Sequence, residues 1–217
     1  MLSINHLTYH PPATPQAILD DICLDLREQQ LGVIVGPSGS GKSTLLEILA
    51  GFVEWEVGRI FWRNQELIPD QLQQLCGLVF QFPERHFCGS TILEELRLGH
   101  LDLEPERLNQ ALHNVGLDHL DWDTAPHSLS GGQQRRLALA VQLLRQPSIL
   151  LLDEPTAGLD WSMRKQVINL LHELKQQWMI LVVSHEPEEI VGFADRCWRI
   201  DHGKITPRFD LVPESDR

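Results

Sequence analysis

Short apolar runs separated by polar, helix-forming stretches set the rhythm of this chain. LGVIV at residues 31–35, ILLL at 149–152 and MILVV at 179–183 are continuously apolar and bounded by turn residues. Runs of this kind predict strands buried on both faces, as in a parallel sheet. Residues 4–9 and 18–26 alternate or run apolar and are joined by the turn-rich HPPATPQ, which predicts a strand pair. Further strands are predicted over 58–63 and 77–81, a helix over 42–50 that stops at Gly51, and an amphipathic helix over 162–177. From residue 83 to 146 the pattern turns mostly helical and polar, with breaks at Pro105, Gly116 and Pro126, and short strand signals in WRIDHGKI close the chain. Strands alternating with helices around parallel-type runs predict an α/β fold. The strand-rich N-terminus reads as an antiparallel β layer beside the main sheet. Residues 83–146 read as an inserted helical subdomain, with 1–82 and 147–217 forming the core of a single domain.

Composition adds limits rather than a fold. A chain of 217 residues buries about 70% of its unfolded surface on folding, so its core needs no staples. The apolar runs are too short to span a bilayer. No charged-then-apolar leader precedes the strand near Ile4, so no secretory signal is expected. Net charge is −12, with 18 basic and 30 acidic residues, which argues against a nucleic-acid partner. Cys23, Cys76, Cys88 and Cys197 lie far apart with no CxxC pair, and read as reduced core or surface thiols rather than a metal site. The 10 histidines form no HxH pair and one HxxxH spacing, His6 and His10 at a predicted strand, and most read as surface or loop residues.

The chemistry sits at the ends of the apolar runs. GPSGSGKS, residues 36–43, matches G-x-x-x-x-G-K-[ST] directly after a predicted strand and before a predicted helix, the context of a P-loop. Its glycines let backbone N–H groups face a phosphate, and the helix start adds positive charge there. Lys42 is expected to reach the β- and γ-phosphates, and the Ser43 hydroxyl to ligate Mg²⁺. ILLLDEP delivers Asp153 at a strand tip as the Mg²⁺-side carboxylate. Glu154, next to it, is placed to take a proton from an attacking water. LSGGQQ, residues 129–134, opens a second helix with a Ser and exposed Gly N–H groups, a second anion-binding start. One chain cannot easily fold its own distant insertion onto its own nucleotide, whereas two chains packed head to tail can, and a two-fold pair closes the arrangement.

With these motifs in this order, the chain resembles the nucleotide-binding subunit of ATP-binding cassette (ABC) transporters over nearly its whole length. The resemblance implies a P-loop NTPase with a RecA-like core, ATP and Mg²⁺ as ligands, and ATP hydrolysis. Walker A then covers Gly36, Pro37, Ser38, Gly39, Ser40, Gly41, Lys42, Ser43 and Thr44. Gln81 is the Q-loop glutamine, a Mg²⁺ sensor. Ser130, Gly131, Gly132 and Gln133 belong to the signature that meets the partner's nucleotide, Asp160 ends the D-loop AGLD, and His185 in VVSHE is the switch histidine. Tyr9, the only tyrosine, stands where the family places an aromatic on adenine.

QFPE followed by an aromatic looks like the energy-coupling factor type of importer, which takes up vitamins or transition-metal ions, and is similar to plastid and cyanobacterial cassettes. The resemblance further implies a homodimer or a heterodimer with a similar cassette, and a membrane transporter subunit on the segment from Gln81 to Phe87. The location implied is cytoplasmic, at the inner face of a membrane. The competing reading is a soluble cassette ATPase in an assembly pathway such as iron–sulfur cluster biogenesis.

Overall fold

The computed structural model describes residues 1–99, 102–185 and 188–208. Three parallel strands, β3 (Leu31–Val35), β7 (Ile149–Asp153) and β8 (Met179–Ser184), form the middle of the main sheet. With β6 (Cys76–Val79), β9 (Arg196–Asp201) and β10 (Lys204–Pro207) the order is β10-β9-β3-β8-β7-β6, with only β10 antiparallel to its neighbour. A second, antiparallel sheet holds β1 (Leu2–Tyr9), β2 (Leu19–Leu26), β4 (Val57–Trp62) and β5 (Gln65–Glu66) in the order β2-β1-β4-β5.

The continuous apolar runs are explained by two cores, one on each face of the main sheet. Leu31, Val33, Leu150, Leu152, Ile180 and Val182 face one of them, which also takes in α5 (Gly131–Leu144) and α6 (Trp161–Leu174). Ile34, Ile149, Leu151, Leu181 and Val183 face the other, filled by α1 (Lys42–Leu49) and the antiparallel sheet. Gly32 lies on this second side, where an added Cβ would sit 2.8 Å from Trp198 Cζ3, 3.1 Å from Leu26 Cδ2 and 3.2 Å from Leu181 Cδ1. Gly32→Ala is therefore expected to overpack this core and cost about 1–3 kcal/mol. The measurement is the urea midpoint of unfolding, and an unchanged midpoint would show that Trp198 moves aside freely.

Several boundaries differ from the sequence-based expectation. The strand expected over 77–81 is β6 (Cys76–Val79), so Phe80 and Gln81 lie beyond it. A helix went unread at α2 (Pro69–Leu75), which buries Leu72 alone and so shows no periodicity. Pro105 does not break a helix but opens α4 (Pro105–Asn114), at the first turn where its missing N–H costs nothing. The mostly helical stretch resolves into a 3-10 turn at Pro83–Arg85, then α3 (Ile92–Arg97), α4 and α5, with a second 3-10 turn, Pro126–Ser128, just before α5. The amphipathic helix expected over 162–177 is α6 (Trp161–Leu174), opened by the Asp160 side chain, which accepts from Met163 N at 2.9 Å.

Candidate functional site

Parallel strands that end level with one another create the site. Val35 pairs with Ser184 and Asp153 with Val183, so the loops after β3, β7 and β8 emerge side by side. Adding the loop after β6 completes one cavity, lined by Ile18, Ser38, Gly39, Gly41, Lys42, Ser43, Thr44, Gln81, Asp153, Glu154 and His185. A crevice at the carboxyl ends of parallel strands is where open α/β sheets bind ligands.

The loop from Gly36 to Gly41 wraps the N-terminus of α1. Gly41 holds φ 101° as the residue before the helix, a left-handed value that a side chain would strain. Lys42 is buried, and its Nζ donates to the carbonyls of Gly36 at 2.9 Å and Pro37 at 3.0 Å, which curls the loop around the ammonium. Ser40 Oγ is buried with no hydrogen-bond partner among the described residues. The buried Lys42 ammonium, which also lines the cavity, is the group in this loop that an anionic phosphate would meet.

The Ser43 hydroxyl and the Asp153 carboxyl both line the cavity. Burial pushes the Asp153 carboxyl above its ordinary range, with the Ser43 hydroxyl opposing, Glu154 adding to the rise and Lys42 opposing it. A half-buried carboxylate with a hydroxyl beside it fits a hard divalent cation, whose charge relieves this penalty.

Glu154 is buried and sits at φ 47°, strained by about 1–2 kcal/mol for a side-chain-bearing residue. The strain turns its carboxylate back into the cavity. Ser184 Oγ and the His185 backbone N–H each donate to Oε2 at 3.1 Å, while His185 Nδ1 lies 2.8 Å and Lys42 Nζ 3.9 Å from Oε1.

Not every expected residue lines this cavity. Tyr9 packs partly buried against the second core, and its carbonyl accepts from the Ile18 N–H at 3.0 Å, so it reaches the cavity's edge through Ile18. Gly36, Pro37 and Ser40 lie in the loop behind the lining. Ser130 caps α5, accepting from Gln133 N at 3.3 Å while Gln133 Oε1 accepts from the Ser130 N–H at 2.9 Å. Gly131 is exposed, Gly132 is buried against Met163, and Asp160 caps α6. None of these four signature residues, nor Asp160, lines the cavity.

Two residues that the sequence did not single out brace the site. Ser184 fixes the Glu154 carboxylate. Arg135, whose pKa burial lowers, donates to the carbonyls of Gln81, Pro155 and Ala157 and so ties α5 to the loops after β6 and β7. Its place one turn into the signature helix was the only signal for it.

A strand-tip cavity with a looped helix start, a buried lysine and paired carboxylates defines a P-loop nucleotide triphosphatase. A family model described as ABC transporter matches residues 19–157. The chain belongs to the ABC transporter family, whose cassettes bind and hydrolyse ATP. It is 40% identical to the Arabidopsis thaliana protein "ABC transporter I family member 11, chloroplastic", over 94% of this chain and 79% of that one. It is 36% identical to "Energy-coupling factor transporter ATP-binding protein EcfA2" of Symbiobacterium thermophilum, over 94% and 75%. Among solved structures it resembles cbiO1 from Clostridium perfringens, described as part of the ABC transporter complex cbiONQ, with a TM-score of 0.86, 28% identity and coverage of 94% and 86%. It also resembles the dimeric ATP-binding cassette MJ0796 bound to ADP and Pi, with a TM-score of 0.82, 27% identity and coverage of 96% and 98%. Among the described residues no helix is long and apolar enough to cross a membrane.

Proposed function

We propose that this chain is the ATP-hydrolysing subunit of an energy-coupling-factor-type importer, working as a dimer of cassettes beneath a membrane partner. One observation carries the dimer: the second anion-binding helix start, at Ser130, does not line the cavity that the Walker A loop and the strand-tip carboxylates form. A pocket open on one side and an exposed donor turn elsewhere are complementary halves, which a two-fold axis brings together. The Ser130 oxygen serves the helix by accepting from Gln133 N, while its hydrogen can still be donated to a phosphate of the other copy.

In this reading the Walker A amides and Lys42 hold the β- and γ-phosphates. Lys42 exchanges its carbonyl partners for phosphate oxygens, and Tyr9 stacks on adenine. Ser43 and Asp153, with Gln81, hold Mg²⁺, which when bound neutralises charge on the transferring group. Glu154 accepts the proton of the attacking water, held in place by Ser184 and the His185 amide, and His185 touches the γ-phosphate. Asp160 lies along the dimer seam. Hydrolysis removes the group that links the two halves, so the closed state loses its ligand-derived preference and the pair reopens.

The importer assignment is supported by the relatives named as energy-coupling factor ATPases. The surface proposed for the membrane partner runs from Gln81 to Phe87, where Phe82 is 40% exposed with the Arg85 guanidinium 4.6 Å over its ring. Affinity capture from detergent-solubilised membranes of the source cell is expected to recover a multi-span membrane protein with the wild-type chain and to lose it with Phe82→Asp. Hydrolysis by the isolated chain should not change. Capture that ignores the substitution, or yields only soluble scaffold proteins, would instead favour the assembly-pathway ATPase.

A further inference from the structure

On the outer face of the antiparallel sheet, three ligand types converge away from the nucleotide cavity. In β2 the exposed positions alternate, so Asp21 and Cys23 project on the same side while Ile22 and Leu24 point into the core. In β1 the alternation breaks. Asn5 and His6 are both exposed between the buried Ile4 and Leu7, and the pairing register with β2 shifts between those two residues. This extra residue is a β-bulge, with His6 at φ 55°. The bulge brings the His6 ring over β2, with Nδ1 2.6 Å from Asp21 Oδ1 and 3.7 Å from Cys23 Sγ. All three donor atoms lie within 4.8 Å of one another.

We infer that His6, Asp21 and Cys23 form a surface site for a borderline-soft divalent ion such as Zn²⁺ or Co²⁺. Imidazole nitrogen, carboxylate oxygen and thiolate sulfur around one centre are the donors such ions prefer, and the thiolate disfavours Mg²⁺ and Ca²⁺. Tetrahedral coordination at the usual bond lengths puts ligand atoms about 3.5 Å apart. The His6–Asp21 edge, at 2.6 Å, must open while the His6–Cys23 edge, at 3.7 Å, barely changes, which exposed side chains accomplish by rotation. Two ligands, His6 and Asp21, hold left-handed backbone values, φ 55° and 58°. A surface His–Asp contact alone does little to offset that strain. Three protein ligands leave a position for water or an incoming group, and the bound ion would clip β1 to β2 at the bulge.

The test is a Co²⁺ titration of the full chain in a Cys88→Ser background, which removes the other exposed thiol. One equivalent is expected to bind with a thiolate-to-cobalt charge-transfer band that Zn²⁺ bleaches. Cobalt at Ser43 and Asp153 cannot give this band, because no thiol lines that cavity. Adding Cys23→Ser should abolish the band, and His6→Asn or Asp21→Asn should weaken binding at least about tenfold. Asparagine tolerates left-handed backbone, so these variants keep the bulge, which an unchanged circular dichroism melt verifies. A band that survives loss of Cys23, ignores both Asn variants, or never forms would overturn the site. ATP hydrolysis by Cys23→Ser should equal that of the parent.

Discussion

Glu154→Gln is expected to bind ATP and magnesium as the wild type does while hydrolysing it on the order of a hundredfold more slowly, or worse. The substitution is nearly isosteric. Its amide oxygen can still accept from Ser184 Oγ and the His185 N–H, the two donors at 3.1 Å that hold Oε2. What disappears is the second oxygen as a proton acceptor and the negative charge 3.9 Å from Lys42 Nζ. Losing that charge frees Lys42 for phosphate, so affinity should hold or rise. A protein that binds but cannot turn over should accumulate as an ATP-bound dimer. Steady-state phosphate release, nucleotide titration and light scattering with and without ATP–Mg²⁺ read the three effects separately. Hydrolysis near the wild-type rate would remove Glu154 from the base role, and a stalled protein that stays monomeric would remove the dimer.

The fold and the site were legible where their determinants are consecutive in the chain. LGVIV followed by GPSGSGKS carries strand, loop and helix start in one stretch, and β3 and the start of α1 fall where the pattern put them. ILLLDEP does the same for β7 and its terminal Asp153. Determinants made by tertiary approach were not legible. Ile18 reaches the cavity through its pairing with Tyr9, and Ser184 matters because Glu154 turns back at φ 47°. The α2 helix was missed because its order comes from a first-turn proline and from Gln71 Oε1 accepting the Ile68 N–H at 3.1 Å, not from an apolar face. The meeting of His6 with Cys23 was not legible, because only the bulge, a pairing irregularity, brings the two together.

Gly131→Asp should separate the needs of the fold from those of the nucleotide. Gly131 opens α5, is exposed, and would place an added Cβ no nearer than 3.7 Å to Leu159 Cδ2. Nothing in its own chain forbids a side chain there. A helical glycine costs up to about 1 kcal/mol relative to alanine. An acidic residue in the first turn would add about 0.3–1 kcal/mol through the helix dipole. The fold alone therefore prefers Asp, and the thermal midpoint of Gly131→Asp should hold or rise. Function should move the other way. If this turn faces the γ-phosphate bound to a second copy, a carboxylate there meets like charge in a desolvated seam, and hydrolysis should fall on the order of a hundredfold. ATP binding to the lone chain should stay unchanged, since Gly131 does not line its own cavity. In the Glu154→Gln background the ATP-dependent dimer should vanish. A more stable protein that binds nucleotide yet neither dimerises nor hydrolyses is an outcome that a purely structural role for this turn cannot produce. Wild-type turnover in Gly131→Asp would place the signature turn away from the phosphate and leave the dimer without its second half.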